Sequence, residues 1–400
     1  MNNHLRPRNV FVALTAVSAL TAAVVAAGAD SPDRPPRPHD ETQAALNAIV
    51  EQGTPGVIAQ VKDARGRWNG RAGSGDLAGD RGRGVHDRFR VASVTKPFTA
   101  TVLLKLEARR SLSLDDTIEE WLPGVVRGEN YRPEHITVRH LLNHTSGIFD
   151  YNMDDGFRAK YAGDAFDRNR YRRWSPRELV NIALAHPANF QPEEGSRPGR
   201  PGRWDYSDTN YILAGMIIEK VTGGTYEEAV EQLIIDPLEL GETSLPDASP
   251  HVPRPDARHY STLFEDGPDA KVHDVTEFSP TVAFSAGQLI STVGDVNTFM
   301  SELLGGGLLP PAQQRALLDV VPVDGDEGHG GPEDAYGLGI RHFKLAENCR
   351  AWGHGGMIPG SATRTMATAD GRHVLTMNRN GDWGEQELED AVVRTEFCER

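Results

Sequence analysis

The sequence predicts an α+β fold: an antiparallel sheet assembled from the two ends of the chain, flanked by helices, with a mostly helical region inserted at about 110–290. Two observations predict it. Strand-like segments occur near the start (56–61 and the stretch after Gly66) and again near the end (336–343, 351–356, 362–368 and 373–378), whereas helical patterns fill the middle. No internal repeat divides the chain, so 41–400 is expected to be one composite domain.

The elements follow in order. Arg6 and Arg8 precede an apolar run rich in Ala and Val from Val10 to Ala27, ending in Ala27-Gly28-Ala29. That is the form of a secretory signal cleaved near Ala29, with an uncleaved membrane anchor as the competing reading. Residues 30–40 are rich in Pro, Arg and Asp and read as a disordered linker. A helix is expected over 41–52, then a hairpin. An apolar run after Ser93 (Phe98, Val102, Leu103, Leu104, Leu106) predicts a buried helix, and a second helix ends at Pro123.

Residues 137–143 read as an amphipathic turn or two ending at His144-Thr145-Ser146-Gly147, and 150–173 as a polar, irregular rim loop. Ser175-Pro176 opens a helix, the serine as cap and the proline in the first turn. Residues 210–221 form a long helix with Ile212, Leu213, Met216 and Ile217 buried, stopped by Gly223-Gly224. A small-residue turn at Ser285 leads into a helix to Leu304. Residues 322–334 are acidic and Gly-rich, a flexible loop, and a last helix spans 385–397.

Composition excludes some functions. Apolar content of 38% and charged content of 25% suit a soluble enzyme with a sizeable core. A net charge of −15 argues against nucleic acid as a partner, because phosphates want a basic face. The 14 histidines include no convincing metal-ligand pair, so no metal is expected, and the resemblance described below implies no organic cofactor. Two cysteines, Cys349 and Cys398, permit one disulfide in an exported chain, which would tie the chain's end to the segment carrying His354.

The chemistry is expected at Ser93 and Lys96. Of the seven lysines, only Lys96 has a serine three residues before it. At that spacing the two side chains share one helix face. A serine hydroxyl needs an adjacent base, and a lysine can serve when burial or a neighbouring cation favours its neutral form. The helix start adds free N–H groups and a positive dipole end that suit a developing oxyanion. The competing reading is an N-capping serine beside an exposed lysine. Tyr206-Ser207-Asp208 is a second candidate, since a tyrosine hydroxyl near a lysine can relay protons; a cap-and-turn segment is its alternative. Gly353-His354-Gly355-Gly356-Met357 is a third: glycines on a strand allow close approach of a substrate backbone, with His354 facing the cleft.

In this order and spacing, the three motifs resemble the serine β-lactamase and D-alanyl-D-alanine carboxypeptidase superfamily, in its class C-like branch, and are most similar to the secreted carboxypeptidases of actinomycetes. His140 to Gly147, Tyr211 to Gly223, Ser285-Ala286-Gly287 and Tyr336-Gly337-Leu338-Gly339 extend the likeness over nearly the whole mature chain. The resemblance implies Ser93 as acylated nucleophile, Lys96 as its proton acceptor and Tyr206 as the shuttle to the leaving group. It places the backbone N–H groups of Ser93 and Met357 in the oxyanion hole. It puts His354 in the third motif and Arg341 on a substrate carboxylate, with Asp208, Gly355 and Gly356 lining the site.

The implied function is an exported D-alanyl-D-alanine carboxypeptidase, a monomer that acts on cell-wall peptides and binds β-lactams. A β-lactamase or esterase of the same fold is the enzymatic alternative, and a catalytically weak penicillin- or peptidoglycan-binding protein the alternative of another class. Three departures stand out: Asp208 replaces the usual Asn, Gly355 replaces a common Thr, and the aromatic expected before Ser285 is missing, with Val282 near its place. An ionised Asp208 beside Lys96 would make that lysine a poorer base, so either Tyr206 carries more of the base role or Asp208 shifts substrate preference.

Overall fold

The strands that begin and end the chain do meet. The computed structural model describes residues 37–398 apart from 129, 196, 201, 266, 268, 324–333 and 385. The signal-like start, most of the 30–40 linker and most of the acidic 322–334 loop therefore lie outside the described residues. Among the described residues, no helix is long and apolar enough to cross a membrane.

The eight sheet strands are β1 (Gly56–Asp63), β2 (Gly66–Gly73), β3 (Val321–Pro322), β4 (Ala335–Tyr336), β5 (Arg341–Ala346), β6 (Cys349–Ile358), β7 (Ser361–Ala367) and β8 (Val374–Arg379). Their order is β2-β1-β8-β7-β6-β5-β4-β3, with antiparallel pairing throughout. The strand expected over 336–343 is in fact two. Gly337 N donates to Ile340 O at 2.7 Å, closing a turn that separates β4 from β5.

The sheet is covered on both faces, which explains why β1 reads as a continuous apolar run rather than an alternating one. Val57, Ala59 and Val61 join Leu46, Ile49, Met366 and Val393 in a core beneath α1 (Asp40–Glu51) and the C-terminal helix Gln386–Phe397. Ile58, pointing the other way, joins the larger core of the helical region. There α2 (Thr95–Ala108) is buried along nearly its whole length, and Phe98 stacks on Phe299 with ring centroids 3.6 Å apart. The predicted helix near 210–221 begins two residues earlier: α3 (Asp208–Thr222) has Ser207 at its N-cap and Gly223 at φ 74° as its stop, with Met216 only half-buried. Ser175 and Glu178 form a reciprocal capping box on the helix Pro176–Leu184.

Residues 150–173 differ from the expected polar rim loop. Three short helical turns bury Tyr151, Phe157, Tyr161 and Phe166 among themselves and Trp174. The charged residues between them conceal an apolar spacing too short to register as a helix.

The C-terminal helix is tied down twice. Cys349 and Cys398 form the expected disulfide, their Cα atoms 5.6 Å apart. Nearby, the Glu396 carboxylate, 2% exposed, accepts from Thr42 at 2.7 Å and pairs with His39 at 3.0 Å and His373 at 2.8 Å. Burial opposes its ionisation, but hydrogen bonds from His373, His39 and Thr42 outweigh burial and hold it at about 2, below its ordinary 4.5. A carboxylate depressed by folding stabilises above its unfolded value and loses that contribution as pH falls through the folded one. We expect wild type to lose on the order of 3 kcal/mol between pH 4.5 and 2 at this position. Glu396→Gln should lack that stability at pH 7 and show a flatter acid limb in denaturant titrations.

Candidate active site

A strained turn presents the nucleophile. Ala92 has φ 51°, unusual for a residue with a Cβ, and leads into the 3₁₀ turn Ala92–Val94 that feeds α2. Ser93 thus precedes the α-helix rather than sitting within it. Thr95 Oγ1 donates to Ala92 O at 2.7 Å and Val91 N donates to Leu289 O at 3.0 Å, pinning the turn from both sides. Strand β6 presses on it. A Cβ at Gly356 would lie 2.3 Å from Val91 O and 2.8 Å from Ser93 N, so only glycine permits this approach.

Lys96 is fully buried, and its three N–H donors meet three acceptors. These are Ser93 Oγ at 3.0 Å, Ala286 O at 3.1 Å and the Asp208 carboxylate in a close ion pair. That is the pattern of an ammonium. Tyr206 completes the group, its hydroxyl bonded to Ser93 and its ring 4.8 Å from the Lys96 nitrogen. Burial, and then the Asp208 charge, push the Tyr206 phenol well above its ordinary 10. That direction weighs against a greater base role for Tyr206.

Asp208 is held on its other oxygen by Asn152 Nδ2 at 2.6 Å. Beneath them lies Asp150, buried and accepting from Asn152 N at 3.0 Å. Burial, reinforced by the neighbouring Asp208 charge, raises the Asp150 carboxyl to about 8. Sequence reasoning missed Asp150 and Asn152, whose only signal was their nearness to the His144-to-Gly147 motif.

His354 ends a buried hydrogen-bonded chain. Ser207 N must donate, and does so to His144 Nδ1 at 3.2 Å, which puts the His144 proton on Nε2, facing the Tyr336 hydroxyl at 3.3 Å. Tyr336 can then donate to His354 Nε2 at 2.9 Å, leaving His354 Nδ1–H for Gly355 O. Backbone groups at both ends fix every proton in between. Burial, followed by the Lys96 charge, drives His354 well below its ordinary 6.5, which agrees with this neutral tautomer. His354 lines the cleft but brings no positive charge to it. The His140–His144 spacing is no metal pair either, since His140 Nδ1 accepts from Thr137 N.

Ser93, Asp150, Asn152, Tyr206, Asp208 and His354 line one cleft of about 850 Å³. Tyr151, Phe157, Tyr161, Phe278 and Val282 give the cleft an apolar part of its lining. Arg341 and Arg364 also line it, with Gly355 and Met357, whose side chain is exposed. Arg341 stacks near Trp204 and Phe343, its guanidinium carbon 5.6 and 5.5 Å from their centroids.

Asp208→Asn tests the ion pair. An amide in that place carries no charge against the lysine and can both donate and accept, so activity on acyl-D-Ala-D-Ala peptides should be kept or raised. A loss of more than about tenfold would show that the carboxylate itself is needed.

The fold and this constellation define a serine hydrolase of the penicillin-recognising architecture. The chain belongs to the Beta-lactamase family, whose profile matches residues 22–396. It is similar to penicillin-binding protein 4* of Bacillus subtilis (strain 168), 27% identical over 76% of this chain and 63% of that protein. It is also similar to esterase EstB of Burkholderia gladioli, 29% identical over 53% of this chain and 57% of that one. The chain thus spans about three-fifths of the length of these curated relatives. Among solved structures, a D-stereospecific amidohydrolase from Streptomyces sp. superposes with a TM-score of 0.82 at 44% identity, covering 91% of this chain and 100% of that one. The D-amino acid amidase of Ochrobactrum anthropi SV3, complexed with L-phenylalanine amide, superposes at 0.74 and 26% identity, over 89% and 97% of the two chains.

Proposed function

We propose that this chain is an exported acyl-enzyme hydrolase that cleaves the amide bond following a D-configured residue, with peptides ending in D-alanyl-D-alanine as its narrower substrate. The observation that carries this is the direct Lys96–Ser93 hydrogen bond at 3.0 Å, with the Tyr206 hydroxyl on the same serine. The Streptomyces amidohydrolase and the Bacillus penicillin-binding protein support the substrate class, and the signal-like start supports export.

In acylation, Ser93 Oγ attacks the carbonyl carbon as neutral Lys96 takes its proton. The backbone N–H groups of Ser93 and Met357 receive the oxyanion, each donor contributing roughly 3 kcal/mol. The C–N bond then breaks, Tyr206 gives its proton to the departing amine, and Lys96 restores it. Water repeats the sequence in reverse roles to free the acid. The resting ion pair with Asp208 opposes this, since Lys96 must first give up a proton.

A second reading, an esterase, is favoured by the apolar lining and the Burkholderia relative. Assaying acyl-D-Ala-D-Ala, its L,L isomer and a simple aryl ester separates the two. Turnover of the D,D peptide and not the L,L isomer is expected. Ester turnover with no peptide cleavage sinks the amidohydrolase reading.

A further inference from the structure

Apolar side chains left open to solvent gather at the cleft. Among the described residues, the large exposed hydrophobic groups are Leu77, Met153, Tyr171, Phe264, Val272 and Met357. Scattered singly, such residues need no explanation. Met153, Phe264 and Met357 are not scattered, since all three line the cleft that holds Ser93. Two of them are methionines, whose flexible, unbranched side chains adapt to the shape of an apolar ligand. Phe157 and Phe278, both buried, line the same cleft and extend its apolar surface.

Phe264 is the most demanding of the three. Glu265 N donates to Thr262 O at 3.0 Å, closing a turn whose central residues, Leu263 and Phe264, have φ 50° and 68°. Positive φ at both centres marks a type I′ turn, a place dominated by Gly, Asn and Asp. Two bulky side chains there carry backbone strain, which clusters at sites that bind ligands. For Leu263 the strain has an offset within the fold, because its side chain is 1% exposed and packs in the larger core. The turn is also pinned there: Leu263 N donates to Ser261 Oγ at 2.9 Å, and Leu263 O accepts from Gly163 N at 3.1 Å. Phe264 has no such burial, its side chain being 62% exposed. Arg158 lies over the ring with its guanidinium carbon 5.9 Å from the centroid, a weak contact at an exposed site. A ligand that covered the ring would supply the apolar burial that offsets the strain.

We propose that Phe264, with Met153 and Met357, forms an apolar platform for the N-acyl group of the substrate, and that this group is a long alkyl or aryl chain. This rests on the amidohydrolase reading given above. In the narrower substrate of that reading the departing residue is alanine, whose methyl group offers little apolar surface to three such side chains. The chain that covers them therefore belongs to the acylating half. The favoured substrate is then a D-residue amide capped by a long apolar acyl group, in preference to one capped by acetyl.

The test needs no turnover. Ser93→Ala protein is titrated calorimetrically with N-acetyl-D-alanyl-D-alanine and with N-octanoyl-D-alanyl-D-alanine. The octanoyl peptide is expected to bind about tenfold more tightly, and adding Phe264→Gly should shrink that ratio to about twofold. Phe264→Tyr, which keeps the ring, should keep the ratio. The melting temperature separates this role from a structural one. Glycine is at home at positive φ, so Phe264→Gly should leave the melting temperature unchanged or raise it, whereas a packing role for the ring predicts a fall. Equal affinity for the two peptides, no binding of either, a ratio indifferent to Phe264, or a lower melting temperature in Phe264→Gly overturns the platform. A preserved binding preference in a wild-type enzyme that cleaves neither peptide leaves the platform standing and sinks the proposed activity instead.

Discussion

Ser93→Ala should abolish covalent chemistry. With the nucleophile gone, kcat/KM on acyl-D-alanyl peptides is expected to fall by about 10⁴ or more, leaving what binding and the oxyanion hole alone can supply. The sharper readout is intact-mass spectrometry with benzylpenicillin. Opening a β-lactam on Ser93 expels no leaving group, so wild type should gain the whole mass of the drug and the variant nothing. A long-lived adduct absent from the variant marks a penicillin target of the carboxypeptidase kind. Rapid loss of penicillin without a lasting adduct marks a β-lactamase. Neither adduct nor turnover, with ester cleavage intact, marks an esterase. An adduct that persists in Ser93→Ala would place the nucleophile elsewhere. The geometry makes that outcome the least expected, because Ser93 Oγ is bonded to both Lys96 and Tyr206.

What could be read from the chain alone was what depends on neighbours in sequence. Ser93 and Lys96 are legible because three residues make one turn, whether that turn is 3₁₀ or α. The two-ended sheet is legible because its strands carry continuous or alternating apolar runs, and the disulfide because only two cysteines exist. The details that decide the chemistry come from elsewhere. Asp150 and Asn152 reach Asp208 across more than fifty residues, and nothing in a polar stretch marks which of its acids will be buried. Arg364 lies beside Gly355 only through the β6–β7 register. Read in sequence, Gly355 is a lost hydroxyl. In three dimensions it is also the neighbour of an arginine on the next strand. Tyr336 belonged to a recognisable motif, but its place between His144 and His354 follows from a strand pairing and a loop that only folding brings together.

Replacing Lys96 separates its two duties. If Lys96 takes the Ser93 proton as proposed, Lys96→Met should slow acylation by about 10³-fold or more. The same change leaves Asp208, 17% exposed, without its cation, and breaking such a pair costs about 3–5 kcal/mol. Lost activity alone would thus be ambiguous between chemistry and folding. Adding Asp208→Asn resolves this, since an amide in that place orphans no charge and can keep its contact with Asn152. The double variant is expected to recover most of the thermal stability of wild type and none of its rate. Lys96→Arg is the complementary control: it keeps the positive charge against Asp208 but cannot release a proton near neutrality, so it should fold and remain inactive. If the Lys96→Met, Asp208→Asn pair retains activity within about tenfold of wild type, Lys96 is a structural cation and the base lies elsewhere.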